Sequence, residues 1–291
     1  MSAQREVRLV VPSHRQTDGG AFTVRRLFPG RGVQMMDPFL LLDEVGPMEL
    51  KAGEATGAPF HPHRGFQMVT WVLDGEIEQA DTRGSVSRIG PGDVHCLTAG
   101  DGVVHRELPS PRLRLEGGRL HGFALWVNVP KDQKREPAAM QHAASTRVPS
   151  TTTFDGRARV RVISGEALGL EGPIRTHVPM TCLDWSLSPG SRVEQPVPNG
   201  QSALVFVFEG SAHVGPGRVV RDGEAAVLGS GDWVTLANET KSRVRLLVLA
   251  AEPLNEPVAR YGPFVMSSED EVLAAIRDYR AGRMGAVEAT V

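Results

Sequence analysis

Two short stretches hold most of the chemistry in this 291-residue chain: His61-Pro62-His63 and His105-Arg106-Glu107. In each, two metal-capable side chains stand at i and i+2. On a β-strand such positions share a face. Three imidazoles and one carboxylate turned into one interior make a mononuclear metal centre, with His61, His63, His105 and Glu107 as its ligands. On an octahedral ion that set leaves two positions open, which is what a catalytic metal needs to bind substrate or dioxygen. Nitrogen and oxygen donors without thiolate suit Fe(II), and equally Mn, Ni, Co, Cu or Zn; the donor set does not choose among them. The competing reading is a metal-free protein whose H-x-H pair is structural. The second pair, at strand spacing behind glycine-rich turns, weighs for the metal.

Other reactive side chains read as ordinary. His95 alternates with Val94 and Cys96, so it faces away from them; of its two readings, lining the site or lying on the surface, a surface imidazole is the favoured one. His14, His121, His142, His177 and His213 have no partner at useful spacing. Cys96 and Cys182 are far apart and fit no CxxC pattern. They read as free, inert thiols in a reducing, cytoplasmic setting. There is no P-loop, no G-x-S-x-G and no defensible catalytic triad.

The elements that must carry the ligands are short strands. Glycine (32) and proline (21) are abundant and aromatics are only 5%, which favours many turns over long helices. Gln67 to Leu73 reads as a strand, Asp74-Gly75 as a hairpin turn and Glu76 to Ala80 as its partner. Val94 to Thr98, Val103 to Leu108 and Leu120 to Val129 follow as further strands. The run from Pro111 to Arg119 reads as a solvated loop. The second half echoes the first: Val72-Leu73-Asp74-Gly75 matches Val207-Phe208-Glu209-Gly210, and Gly90-Pro91-Gly92-Asp93-Val94 matches Gly229-Ser230-Gly231-Asp232-Trp233. An internal duplication of a β-barrel follows. Carrying the same offsets over to the ligand pairs lands on Pro196, Pro198, Val244 and Leu246, so only the first copy is expected to hold metal.

The expected organisation is an N-terminal metal-binding barrel over 1–135, a surface linker over 136–149 and a second barrel without ligands over 150–291. The charged run Lys131 to Glu136 is placed on the surface. A helix near the C-terminus ends the chain. Ser268 and Glu271 form a capping box, and Val272, Leu273, Ile276 and Tyr279 follow helical spacing. The net charge of −2 offers no basic field for nucleic acid or anionic lipid. No stretch approaches the ~20 apolar residues of a membrane span, and the first ten residues lack the apolar core of a signal peptide.

The surroundings of these motifs resemble the pirin family of the cupin superfamily. The resemblance is carried by His61-Pro62-His63-Arg64-Gly65-Phe66, Gly90-Pro91-Gly92-Asp93-Val94, Thr98-Ala99-Gly100, Val104-His105-Arg106-Glu107, Leu125 to Pro130 and Glu256 to Met266. It implies an all-β bicupin: two tandem antiparallel β-barrels, each a double-stranded β-helix, with iron in the first. The family's ligands fall on His61, His63, His105 and Glu107. The activity implied is quercetin 2,3-dioxygenase-like ring cleavage of a flavonol-type aromatic substrate by dioxygen, with Glu107 also accepting the substrate proton. The alternative is a non-enzymatic, iron-dependent redox sensor that binds a protein partner, such as a transcription factor or metabolic enzyme. Two departures bear on the substrate cavity. His95-Cys96 stands where the family often has Gln-Trp, and Gln67 where it often has Glu.

Overall fold

In the computed structural model, which describes residues 2–18 and 22–285, strands dominate. Two compact units form, and neither is a continuous piece of chain. One comprises Arg15–Arg25, Phe39–Ser145 and the segment from Leu254 onward; the other comprises the chain to His14, Arg26–Pro38 and Thr146–Pro253. The first is called here the histidine unit and the second the companion unit. The boundaries expected from sequence are therefore corrected. The C-terminal helix, placed with the second barrel, belongs to the histidine unit, and strand Val7–Pro12, placed with the first, pairs with Glu224–Leu228 in the companion unit.

Each unit pairs a seven-stranded sheet with a four-stranded one. In the histidine unit the large sheet runs, by strand, Ala139–Ala143, Val94–Thr98, Phe66–Asp74, Gly118–Asn128, Phe39–Leu50, Phe22–Phe28 and His14–Asp18. The small sheet runs Ala58–His63, Val103–Pro109, Ile77–Asp81 and Val86–Ile89. The companion unit repeats this order with Val7–Pro12 at the edge that Ala139–Ala143 holds in the first. Among the described residues no hydrogen-bonded ladder closes the two sheets into one cylinder. The seams are filled by side chains: Val72 and Leu120 from one sheet pack with Ala58, Ile77 and Ile89 from the other.

Several local expectations change. Asp74-Gly75 is a turn, but not a hairpin: Phe66–Asp74 lies in the large sheet and Ile77–Asp81 in the small one. The chain crosses between layers there, with Gly75 at φ +81°, where any Cβ would strike the Arg119 carbonyl. Pro111–Glu116 is a short helix, capped by Ser110, rather than a loop. The 136–149 segment is not a bare linker, since Ala139–Ala143 pairs in register with Val94–Thr98. The Gly90 and Gly229 turns are offset by one strand: the first leads into the large sheet, the second into Trp233–Ala237 of the small sheet.

The C-terminal helix, Glu269–Arg280, has the expected capping box of Ser268 and Glu271. Its Val272 and Ala275 pack with Val104, Phe264 and Met266. Val104 points outward from strand Val103–Pro109 because its neighbours His105 and Val103 point inward. The helix thus covers the outer face of the sheet that presents the histidines.

Candidate metal centre

Register brings the histidines together. His61 and His63 share the inner face of Ala58–His63, and the ladder with Val103–Pro109 sets His105 directly opposite His61 and Val103 opposite His63. The ring centroids lie 4.5–4.8 Å apart. One ring nitrogen from each of the three falls within 4.8 Å of the others. His61 Nε2 and His63 Nε2 are 3.0 Å apart. His61 Nδ1 lies 2.7 Å from the Pro59 carbonyl, an acceptor only, so Nδ1–H donates there and Nε2 keeps its lone pair. That second hydrogen bond is the usual way a ligand imidazole is oriented.

Burial keeps the cluster neutral. His63 and His105 are 3% and 1% exposed. Desolvation, then the charge the neighbouring histidines would carry, holds both well below the usual imidazole range, and burial also lowers His61. Both ring nitrogens of His105 are buried without a hydrogen-bond partner in the protein. Such orphaned groups cost about 1–3 kcal/mol each. Neutral imidazoles converging with unpartnered nitrogens fit a divalent cation, which would accept those lone pairs.

Glu107 lies beyond the three-histidine group, two residues from His105 on the same strand. The ladder sets it opposite Gln79, whose amide Nε2 donates a short hydrogen bond to Glu107 Oε1. Burial pushes the carboxyl up to about 7, with the Gln79 bond pulling the other way. Sequence reasoning missed Gln79. It joins Glu107 only through the pairing of strands that are not neighbours in the chain, and no sequence spacing reports that.

The walls are aromatic and braced. His63 meets Phe66 and Trp126 edge to face, and these two stack at 4.1 Å. The Arg260 guanidinium lies over Trp126 at 4.8 Å. Gly65, at φ +85°, lets the chain turn after His63 where any Cβ would strike the Val265 carbonyl. Arg64, 2% exposed, pairs with Asp278 at 2.7 Å and donates to the Asp101 carbonyl. Lys134 is 1% exposed, not on the surface as expected. It donates to the Gly65 and Val265 carbonyls and to Asn128 Oδ1, and burial lowers it to about 8.

Two histidine expectations are also corrected. His95 is fully buried, with both ring nitrogens unpartnered, and burial lowers it to about 4. It pairs with Thr70 on the face of the large sheet shared with Phe66, so it looks toward the histidine cluster. His121 is buried and hydrogen-bonded to Glu44 at 2.8 Å. Cys96 is inert as expected: buried on the opposite face from His95, its thiol is pushed up to about 12.

A family model described as Pirin matches residues 21–127, and one described as Pirin C-terminal cupin domain matches 182–285. The chain is 37% identical over 289 residues to rat Pirin, covering 98% of this chain and 95% of that protein. The chain belongs to the pirin family. Its bicupin fold follows, in agreement with the paired sheets of the two units. A Pseudomonas aeruginosa protein named as a proposed quercetin 2,3-dioxygenase is 40% identical over 93% of this chain and 95% of its own length. A solved quercetin 2,3-dioxygenase from Acinetobacter baumannii superposes with a TM-score of 0.92 at 34% identity, covering 98% of this chain and 99% of that one. No helix among the described residues is long and apolar enough to cross a membrane.

Proposed function

We propose that this pirin-family chain is a metal-dependent dioxygenase that cleaves a flavonol-type substrate. The convergence of His61, His63 and His105, with unpartnered nitrogens, carries the reading. Its likeness to proteins named for quercetin 2,3-dioxygenase activity supports the substrate class. Glu107 is proposed as fourth ligand and Fe(II) as the ion, in the cytoplasm. Fe(II) held by these residues would supply a Lewis-acidic, redox-capable centre for dioxygen and for the oxygen atoms of the substrate.

The protein's own part is proton handling and orientation. As a carboxylate beside the ion, Glu107 would accept the 3-hydroxyl proton. Gln79 fixes the carboxyl by donating to Oε1. The stacked Phe66 and Trp126 give an aromatic ring a flat apolar wall beside His63.

Oxygen uptake with quercetin, at matched metal content, tests the proposal. Glu107→Gln is expected to lower kcat by about 10²–10⁴-fold, the usual scale of general acid–base catalysis. Equal rates would remove Glu107 from proton transfer. No uptake by wild type with any of the six metals would overturn the enzymatic reading and favour a sensor that binds a protein partner.

A further inference from the structure

At the open edge of the large sheet, His95, His142 and Asp93 come together from two strands. Ladder pairing sets His142 directly opposite His95. Their rings lie 6.4 Å apart. Asp93 precedes His95 by two positions, and its Oδ2 is 3.8 Å from His142 Nε2. Two ligands about 2.1 Å from a tetrahedral ion stand about 3.4 Å apart, so this nitrogen and oxygen are within about half an ångström of a chelating separation.

Each member is available in a different way. His95 is fully buried, yet neither ring nitrogen has a partner in the protein, and its low proton affinity leaves it neutral and ligating. His142, on the edge strand with its side chain 39% exposed, gives an ion a route from solvent, and its ring would have to turn toward His95 for both to reach one ion. The Asp93 carboxylate is already oriented: Oδ2 accepts from Gly90 N–H and Oδ1 from Ser145 N–H. Each oxygen retains a lone pair beyond those bonds.

We infer that His95, His142 and Asp93 form a second divalent-cation site, separate from the three-histidine centre. Two imidazoles and a carboxylate select a borderline ion of the Zn(II), Co(II) or Ni(II) type over Mg(II) or Ca(II). The ion ties edge strand Ala139–Ala143 to Val94–Thr98, the segment whose His95 faces the primary centre. This site rests on no part of the dioxygenase reading.

Zn(II) titration of chelator-stripped full-length protein, read with a competing chromophoric chelator, tests it. Wild type is expected to take up about two equivalents, the second raising the Tm further. His142→Ala, an exposed position that folding tolerates, is expected to take up about one, as is the buried but size-matched His95→Gln. In a His61→Ala background one equivalent is expected to remain and to vanish on adding His142→Ala. A single equivalent in wild type would overturn the site, as would a second equivalent that survives His142→Ala.

Discussion

The same strand pair does opposite things in the two units. In the histidine unit the first two strands of the small sheet, Ala58–His63 and Val103–Pro109, turn His61, His63 and His105 inward. In the companion unit the strands at the same places are Arg192–Pro196 and Trp233–Ala237, and the inward, mutually paired residues are Val193 with Leu236 and Gln195 with Val234. Val193, Val234 and Leu236 join a continuous apolar core. Gln195 is buried, but it is satisfied by Trp185 Nε1 and the Pro196 carbonyl. One copy of the fold spends its interior on dry packing. The other keeps buried, unpartnered nitrogens that lower its stability and are explained by a ligand.

That contrast can be broken by exchanging the two kinds of residue. Leu236→Ala opens a cavity in the companion unit and is expected to cost about 2–5 kcal/mol in urea unfolding while metal content stays unchanged. His105→Leu is expected to do the reverse. It removes the metal, while metal-free stability holds or rises by about 1–2 kcal/mol, because an apolar side chain replaces two orphaned nitrogens. If His105→Leu destabilises the metal-free protein as much as Leu236→Ala does, the histidines are packing residues and the contrast fails.

A smaller effect sharpens it through pH. Glu107 is raised from 4.5 to about 7 in the folded state, so between those values the folded chain binds more protons, and stability falls as pH rises. His63 and His105 act the other way. Their folded values lie well below 6.5, so stability is lost as pH falls beneath that point. In metal-free protein, Glu107→Gln is therefore expected to steepen the gain in stability between about pH 5 and 7, by up to about 3 kcal/mol. Parallel wild-type and variant profiles would show that Glu107 is not buried against its charge.

Much of this was legible from local pattern. The strand period places His61 with His63, and the capping box at Ser268 and Glu271 marks the helix start, because both depend on neighbours within a turn or a pleat. The duplicated Val-Leu-Asp-Gly and Val-Phe-Glu-Gly motifs do end equivalent strands, Phe66–Asp74 and Ser202–Glu209. What escaped depends on register between distant segments. The partnership of His95 with His142, the Gln79 bond to Glu107 and the contact of His121 with Glu44 span 28–77 residues of chain, and nothing in local spacing encodes them. Lys134 misled because its neighbours are charged, while its own ammonium is drawn inside by three oxygen acceptors. The offset of the Gly90 and Gly229 motifs sent the second ligand pair to Val244 and Leu246, while the first pair landed on Pro196 and Pro198 because the connection from Arg192–Pro196 to Ser202–Glu209 is longer than that from Ala58–His63 to Phe66–Asp74. The topologically equivalent strands carry Val193, Gln195, Val234 and Leu236 instead.

The most direct measurement is an anomalous difference map, collected at the absorption edge of the metal found by X-ray fluorescence in crystals grown without chelator. The expected result is a peak about 2.0–2.2 Å from a ring nitrogen of each of His61, His63 and His105. Metal fluorescence from the crystals with no peak among those three rings, or a peak beside Val193 and Leu236, would contradict the assignment of the metal centre to the histidine unit.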